Sequence, residues 1–326
     1  MKKRILSGIQ PSGKLHIGNY LGAIKQHLDA QDQQKADRFY FIANYHSLTS
    51  IQDRDVLKEH TLDVARTYLA LGLDPEKSLL FLQSDVPEVC ELSWVLSTLA
   101  SMGLLQRCHS YKDKVARGLT PNHGLFAYPV LMAADIIIYD SHIVPVGADQ
   151  KQHVEVTRDL AIKFNHVFGD TLVVPEPAIK KEVAVIPGID GQKMSKSYQN
   201  TIELFASKKA LKKQIMAIVT DSKGLDEPKD PESCHVFKLF KFFGSREEIQ
   251  AMAEKYRAGG YGYGHAKLEL LGKINDIIGP HREKYEYLKK HEDEVMDVLR
   301  TCGRKARAVA SETMRRVREA TGLVTS

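Results

Sequence analysis

Short, continuously apolar runs alternate with longer stretches of helical periodicity through the first two hundred residues. Arg4–Ser7 is the first such run, followed by the turn-rich Gln10-Pro11-Ser12-Gly13 and a helical pattern from Gly18 that carries Leu21, Ile24 and Leu28. Arg38–Ala43 reads as a buried strand, and Asp55–Leu73 as a helix with Leu57, Thr61, Val64, Tyr68 and Leu71 on one face. Ser78–Gln83 and Ile143–Val146 are two further apolar strands. Strands that are apolar throughout, separated by helices, predict a parallel sheet covered on both faces. The expected fold is therefore α/β, a Rossmann-like doubly wound parallel sheet, with ligands bound beyond the carboxyl ends of its strands. After Asn200 the strand pattern stops. Ser207–Val219, Val236–Phe243, His265–Lys290 and the chain end read as helices, with Thr220–Ser233 as a polar, Pro-containing loop. The expected division is an α/β region over residues 1–200 and an all-helical domain over 201–326.

Composition narrows the class. Of 326 residues, 43% are hydrophobic and 27% charged, which excludes a disordered or fibrous chain. No apolar run approaches the ~18 residues of a membrane helix, and only Ile5 and Leu6 follow the basic start, too few for a secretory signal core. Cys90, Cys108, Cys234 and Cys302 lie far apart, so a reduced, cytoplasmic protein is expected. The net charge of +5 is mild. More of it sits near the end, where Arg304, Arg307, Arg315 and Arg318 share one helix face, opposite Ala306, Val309, Ala310, Val317 and Ala320. That pattern fits either a solvated face or a packed helix with a phosphate-contacting stripe.

Two segments carry the chemistry. Gly8 to Tyr20 (GIQPSGKLHIGNY) runs from a strand through a glycine-rich turn into a helix, where backbone N–H groups and the helix dipole suit a phosphate. His16 and Asn19 add side-chain donors to that first turn. There is no GxGxxG and no GxxxxGK[ST], so neither a dinucleotide fold nor a P-loop is indicated. Gly191 to Ser197 (GQKMSKS) is a basic, serine-bearing loop at the junction of the two regions, with two lysines suited to neutralising a polyphosphate. A third feature is Asp135. It interrupts an otherwise apolar helix, where a carboxylate is costly unless paired, and Tyr128, Met132 and Asp135 share one helix face.

His16-Ile17-Gly18-Asn19 is similar to the HIGH signature, and Lys193–Ser197 matches the KMSKS signature, of class I aminoacyl-tRNA synthetases. With YPVLMAADIIIYD (Tyr128–Asp140) and VPVGADQKQH (Val144–His153), the chain resembles the tryptophanyl-tRNA synthetase family over nearly its whole length. Asn19 stands where the broader class has a second histidine. The resemblance implies activation of tryptophan by ATP to the adenylate, release of pyrophosphate, and transfer to tRNA(Trp). It implies that Gln10, His16, Gly18, Asn19, Gly147, Ala148, Asp149 and Ile186 hold the nucleotide, with Lys193, Met194, Ser195, Lys196 and Ser197 in a mobile loop over its phosphates. His16, Asn19, Lys193 and Lys196 are the catalytic set it implies. An indole N–H is a donor only, so its pocket needs an acceptor. Asp135 is the candidate, with Met132 packing on the ring, Val144 and Val146 walling the slot, His46 and Gln150 as polar contacts to the amino acid, and Leu6 and Tyr128 completing the substrate site. Mg²⁺ would travel with ATP, since no carboxylate cage is evident. Class relatives are homodimers, and Leu96–Leu105 is the candidate contact.

Three other readings remain open: a tyrosyl-tRNA synthetase, a small-cofactor nucleotidyltransferase, and a synthetase-like binding module. An iron–sulfur cluster of some relatives needs four thiolates. Here Cys234 matches the first position but Lys255–Leu271 has no cysteine. A cluster-free helical domain is therefore expected, with GGYGYGH as a turn and Lys255, Arg257 and Lys267 assisting anticodon reading.

Overall fold

The computed structural model describes residues 2–33, 36–108, 122–147, 150–179 and 185–324. Five parallel strands form one sheet in the order β3-β2-β1-β4-β5: β1 (Lys3–Ile9), β2 (Ala36–Ile42), β3 (Leu79–Leu82), β4 (Ile143–Val146) and β5 (Glu176–Ile179). The four expected strands are present. β5 was not legible as a strand; it is four residues long, contains Pro177, and among the described residues pairs only with β4, at the sheet edge.

The first helix is composite. α1 (Ile17–Asn19) passes through a π-helical turn at Tyr20–Ile24 into α2 (Lys25–Ala30). α3 (Asn44–Ser47) follows β2 directly, and α4 (Arg54–Ala70) begins where Asp53 accepts the free N–H groups of Asp55 and Val56. α5 (Glu88–Ser97) and α6 (Met102–Gln106) precede α7 (His123–Ile137), which is capped by Asn122, begins ahead of the Tyr128–Asp140 stretch and takes Pro129 into its body. α8 (Lys151–Phe168) leads to β5. The second half is helical among the described residues: α9 (Lys208–Met216), α10 (His235–Phe240), α11 (Arg246–Ala258), α12 (Tyr263–Lys290) and α13 (Glu292–Thr321). Residues 220–233 form the expected loop.

The sheet's alternation divides the apolar interior in two. Tyr40, Ile42 and Leu80 face one core, shared with α4, α10 and α12. Leu6, Phe39, Phe41 and Phe81 face the other, shared with α5, α7 and α8. α13 joins both. Val295 and Leu299 pack in the first core, whereas Cys302, Ala306, Ala310, Met314 and Val317 pack in the second, against the β3 side of the sheet. The helical half is thus built into the walls of the α/β half, and the carboxyl ends of β1, β2 and β4 are left open.

Candidate active site

The chain leaves β1 into the turn that carries the first signature. Ile17 N–H donates to the Ile202 carbonyl at 2.9 Å and Leu204 N–H to the Leu15 carbonyl at 3.0 Å, so the stretch after the second signature braces the first. His16 is buried, its backbone N–H held by Asn19 Oδ1 at 3.0 Å. That fixes the Asn19 amide, whose nitrogen has no partner among the described residues. Burial, aided by the nearby Lys196 charge, pushes the His16 imidazole down to about 4, so it is neutral at physiological pH, and its Nδ1 is buried without a partner.

The second signature folds down onto the first. Pro187 and Lys193 form an antiparallel bridge, and Met194 N–H donates to the Ile186 carbonyl at 2.8 Å. Buried Asn200 ties the loop from inside, accepting from Ser195 N–H at 2.8 Å and donating to the Lys193 carbonyl at 3.1 Å. A Cβ on Gly188 would fall 2.4 Å from the Asn200 amide, so glycine is what lets the loop close around it. Two contacts then join the signatures: Gly18 N–H points at Met194 Sδ at 3.3 Å, and Lys196 Nζ donates to the Gly13 carbonyl at 2.7 Å. Burial lowers the Lys196 pKa. Lys193 and Ser197 are exposed beside it.

Next to this junction lies a cavity of about 530 Å³. It opens between β1 and β4, where the strand order reverses, the place such a sheet offers to ligands. Its walls include Leu6, Gln10, His46, Tyr128, Met132, Val144, Val146, Gly147 and Gln150, all named from the sequence. Gly8, Phe41, Thr49, Ser50 and His153 also line it and were not named as site residues from the sequence, although Gly8 and His153 stand at the ends of two of the motif stretches. Asp135 is not one of the walls. It is fully buried behind them, with Oδ2 2.8 Å from His46 Nε2 and both oxygens 2.9 Å from Gln83 Nε2. Burial raises its pKa; the hydrogen bonds from His46 and Gln83 favour the carboxylate and act the other way. Tyr128 meets His46 edge-on and lies 2.7 Å, hydroxyl to Nε2, from His153. His16, Gly18, Asn19 and Lys193–Ser197 lie outside the cavity wall, on the adjoining signature junction, and Ile186 reaches that junction through its backbone. Ala148 and Asp149 lie outside the described residues.

A glycine-rich turn braced by a lysine loop thus lies beside a cavity at the switch point of the sheet. Residues 1–279 match the family model for class I tRNA synthetases (W and Y). The chain belongs to that family. It is 55% identical to the tryptophan–tRNA ligase of Fusobacterium nucleatum over 99% of this chain and 98% of that one. It is 53% identical to the enzyme of the same name from Campylobacter jejuni over 98% of this chain and all of that one. The crystal structure of tryptophanyl-tRNA synthetase from Campylobacter jejuni, complexed with ADP and tryptophan, superimposes with a TM-score of 0.94, at 52% identity over 98% of this chain and all of that one.

The helical half of this class I synthetase carries two further features named from the sequence. Cys234 is buried with Sγ 3.3 Å from the Tyr256 hydroxyl, and Gly259–Gly262 forms the turn between α11 and α12. Tyr261 and Tyr263 pack on Tyr256, and Lys255 Nζ lies 5.2 Å over the Tyr261 ring. Among the described residues no three His, Cys, Asp or Glu side chains are grouped to hold a metal. The basic face of α13 is neither fully solvated nor a free phosphate stripe. Arg307 Nε donates to Glu88 and Arg318 Nε to Glu91, each at 2.7 Å, so two of the four arginines anchor α13 to α5. Arg315 pairs with Glu312 and Glu319 on its own helix. Among the described residues no helix is long and apolar enough to cross a membrane.

Proposed function

We propose that this synthetase is a tryptophan–tRNA ligase. It joins the tryptophan carboxylate to the α-phosphate of Mg·ATP, releases pyrophosphate, and passes the tryptophanyl group to tRNA(Trp). The observation that carries the reading is buried Asp135 behind the slot, bonded to His46 in the slot's wall, immediately beside the HIGN–KMSKS junction. A donor-only indole N–H is matched by acceptors, and the apolar part of the wall, Leu6, Met132, Val144 and Val146, suits its faces.

The attacking carboxylate is already ionised at neutral pH, so no general base is needed. Catalysis then consists of holding the reactants in line and stabilising charge that spreads over the phosphates. In this reading Gln10, His16, Gly18 and Asn19 seat the nucleotide, with Gly147, Ala148, Asp149 and Ile186 around its nucleoside. Lys193 and Lys196 take the charge of the departing pyrophosphate, within the loop of Met194, Ser195 and Ser197. Neutral His16 donates a hydrogen bond without adding a second cation beside Lys196. Tyr128 and Gln150 meet the amino acid's polar end, and Leu6, Val144 and Val146 wall the ring. Mg²⁺ enters as part of the substrate, held by phosphates and water.

Residues 201–326 supply the anticodon-reading domain, with Lys255, Arg257 and Lys267 assisting the reading. Two copies associate through α5 and α6, on which Trp94 and Met102 are 73% and 63% exposed. All four cysteines are free, in keeping with work in the cytoplasm. ATP–pyrophosphate exchange with each amino acid tests the reading. Exchange that depends on tryptophan and is at least ~10³-fold weaker with tyrosine is expected. Equal exchange with tyrosine would replace this reading by a tyrosyl-tRNA synthetase.

A further inference from the structure

Gln83 belongs to neither signature and does not line the cavity, yet it is fully buried one residue beyond β3. Both ends of its amide are engaged. Oε1 accepts from the backbone N–H groups of Tyr45 at 3.0 Å and His46 at 3.4 Å. Nε2 donates to both oxygens of Asp135 at 2.9 Å. The amide has only one workable orientation. Turned over, its NH₂ would face two N–H donors and its oxygen would face a carboxylate.

The consequence passes outward. Asp135 is met by Gln83 strictly as an acceptor, and so accepts from His46 Nε2 at 2.8 Å as well. Nε2 then carries the imidazole proton, which in the neutral ring makes Nδ1 an acceptor. Nδ1 has no partner among the described residues, and His46 is a wall of the cavity. The same Gln83 oxygen holds the backbone of α3 at Tyr45 and His46, so it fixes where the ring starts as well as which nitrogen is protonated.

We infer that Gln83 is a specificity-positioning residue: through Asp135 it sets the His46 tautomer, so that the Asp135–His46 pair offers the bound amino acid acceptors and no competing donor. The pair then selects a ring that brings an N–H and rejects an aromatic ring of the same shape that brings none. This rests on the tryptophan reading of the site.

The test compares tryptophan with β-(3-benzothienyl)alanine, in which sulfur replaces the ring N–H, in ATP–pyrophosphate exchange. Gln83→Met keeps length and apolar volume but removes both hydrogen-bonding ends. It is expected to lower kcat/KM for tryptophan by ~30-fold, to lower it for the analogue by less than ~3-fold, and to leave the KM for ATP unchanged. A purely structural role would lower both amino acids alike. Gln83→Glu still accepts from Tyr45 and His46 but must share a proton with Asp135. Tryptophan exchange by that variant is therefore expected to fall as pH rises from 6 to 8.5, where the unsubstituted enzyme stays level. An unaltered tryptophan-to-analogue ratio in a folded Gln83→Met variant overturns the inference. If that variant does not fold, a level pH profile for Gln83→Glu overturns it. An unsubstituted enzyme inactive with tryptophan sinks the substrate reading itself, an outcome distinct from either.

Discussion

Gly18→Ala separates stability from catalysis at the junction of the two signatures. Gly18 lies within α1 at an ordinary helical φ, so the backbone accepts alanine, and helix propensity favours it by roughly 1 kcal/mol. The new Cβ would stand 2.9 Å from His16 Nδ1, 3.0 Å from His16 Cε1 and 3.4 Å from Met194 Cβ. The Met194 contact is tolerable, but the imidazole must retreat by about half an ångström. Because Nδ1 has no partner, that retreat breaks no hydrogen bond of the ring. Gain and strain therefore nearly cancel, and the melting temperature should stay within a few degrees of the parent. The rate should not. A misplacement near 1 Å at a reacting centre costs ~10²-fold; half of that, applied to His16 while Met194 loses its fit against Gly18, should lower kcat/KM for ATP in pyrophosphate exchange by ~10–30-fold. Tryptophan affinity, measured by calorimetry, should change less than twofold, because the cavity wall contains neither residue. Exchange within twofold of the parent, in a protein that melts normally, would refute the argument that this glycine sets the spacing of the two signatures.

Lys196→Ala should slow exchange by ~10²-fold with tryptophan affinity unchanged, since its charge meets the phosphates most fully in the transition state; parallel losses in rate and affinity would make the loop structural. His16 should make stability fall with acid: its folded pKa of about 4 lies below the unfolded 6.5, so the unfolded chain takes the proton first and stability drops between pH 6.5 and 4, by up to about 3 kcal/mol. Urea titrations at pH 7 and 4.5 should show that slope and lose most of it in His16→Gln. Tyr285→Phe keeps the ring stacked 4.4 Å from Phe205 but strips a donor from buried Asp63, whose other hydrogen bond among the described residues is from Leu15 N–H at 3.4 Å. A loss of about 1–3 kcal/mol in chemical denaturation is expected, and none would mean that Asp63 finds another donor. Trp94→Glu with Met102→Glu should yield a monomer in sedimentation velocity, and an unshifted species would move the proposed contact elsewhere.

Four strands were legible because each is a short apolar run between turns and helices, and a parallel sheet buried on both faces requires such runs. The same rule hid β5. Glu176-Pro177-Ala178-Ile179 is polar at one end, and as an edge strand it packs and pairs on one side only. Nothing local distinguishes it from a loop until β4 is there to bind it. The helix that carries Asp135 starts before the Tyr128–Asp140 stretch: its cap is Asn122, accepting from Leu125 N–H at 2.8 Å, and Pro129 lies within its body. On α13 the periodicity was right, but sequence distance concealed the partners. Glu88 and Glu91 lie more than 200 residues from the arginines they hold.

The candidate site divides along the same line between local and distant information. The half proposed to face phosphates lies in two contiguous segments, since backbone approach, a helix start and a lysine loop are properties of short stretches. The slot has no such segment. Its walls come from β1, β2, β4, α3, α7 and α8, and only the strand order brings them to one place. Asp135 nevertheless posed a question that sequence could have carried further. A carboxylate in an apolar helix demands buried donors, and a strand that is apolar up to a terminal glutamine, SLLFLQ, offers one at the carboxyl end of the sheet. Its place is decided by topology: β3 lies beside β2, and α3 follows β2, so the end of β3 falls against the backbone that carries His46. Gln83 can thus hold Asp135 and α3 at once, and the polarity of the slot is set from outside its own walls.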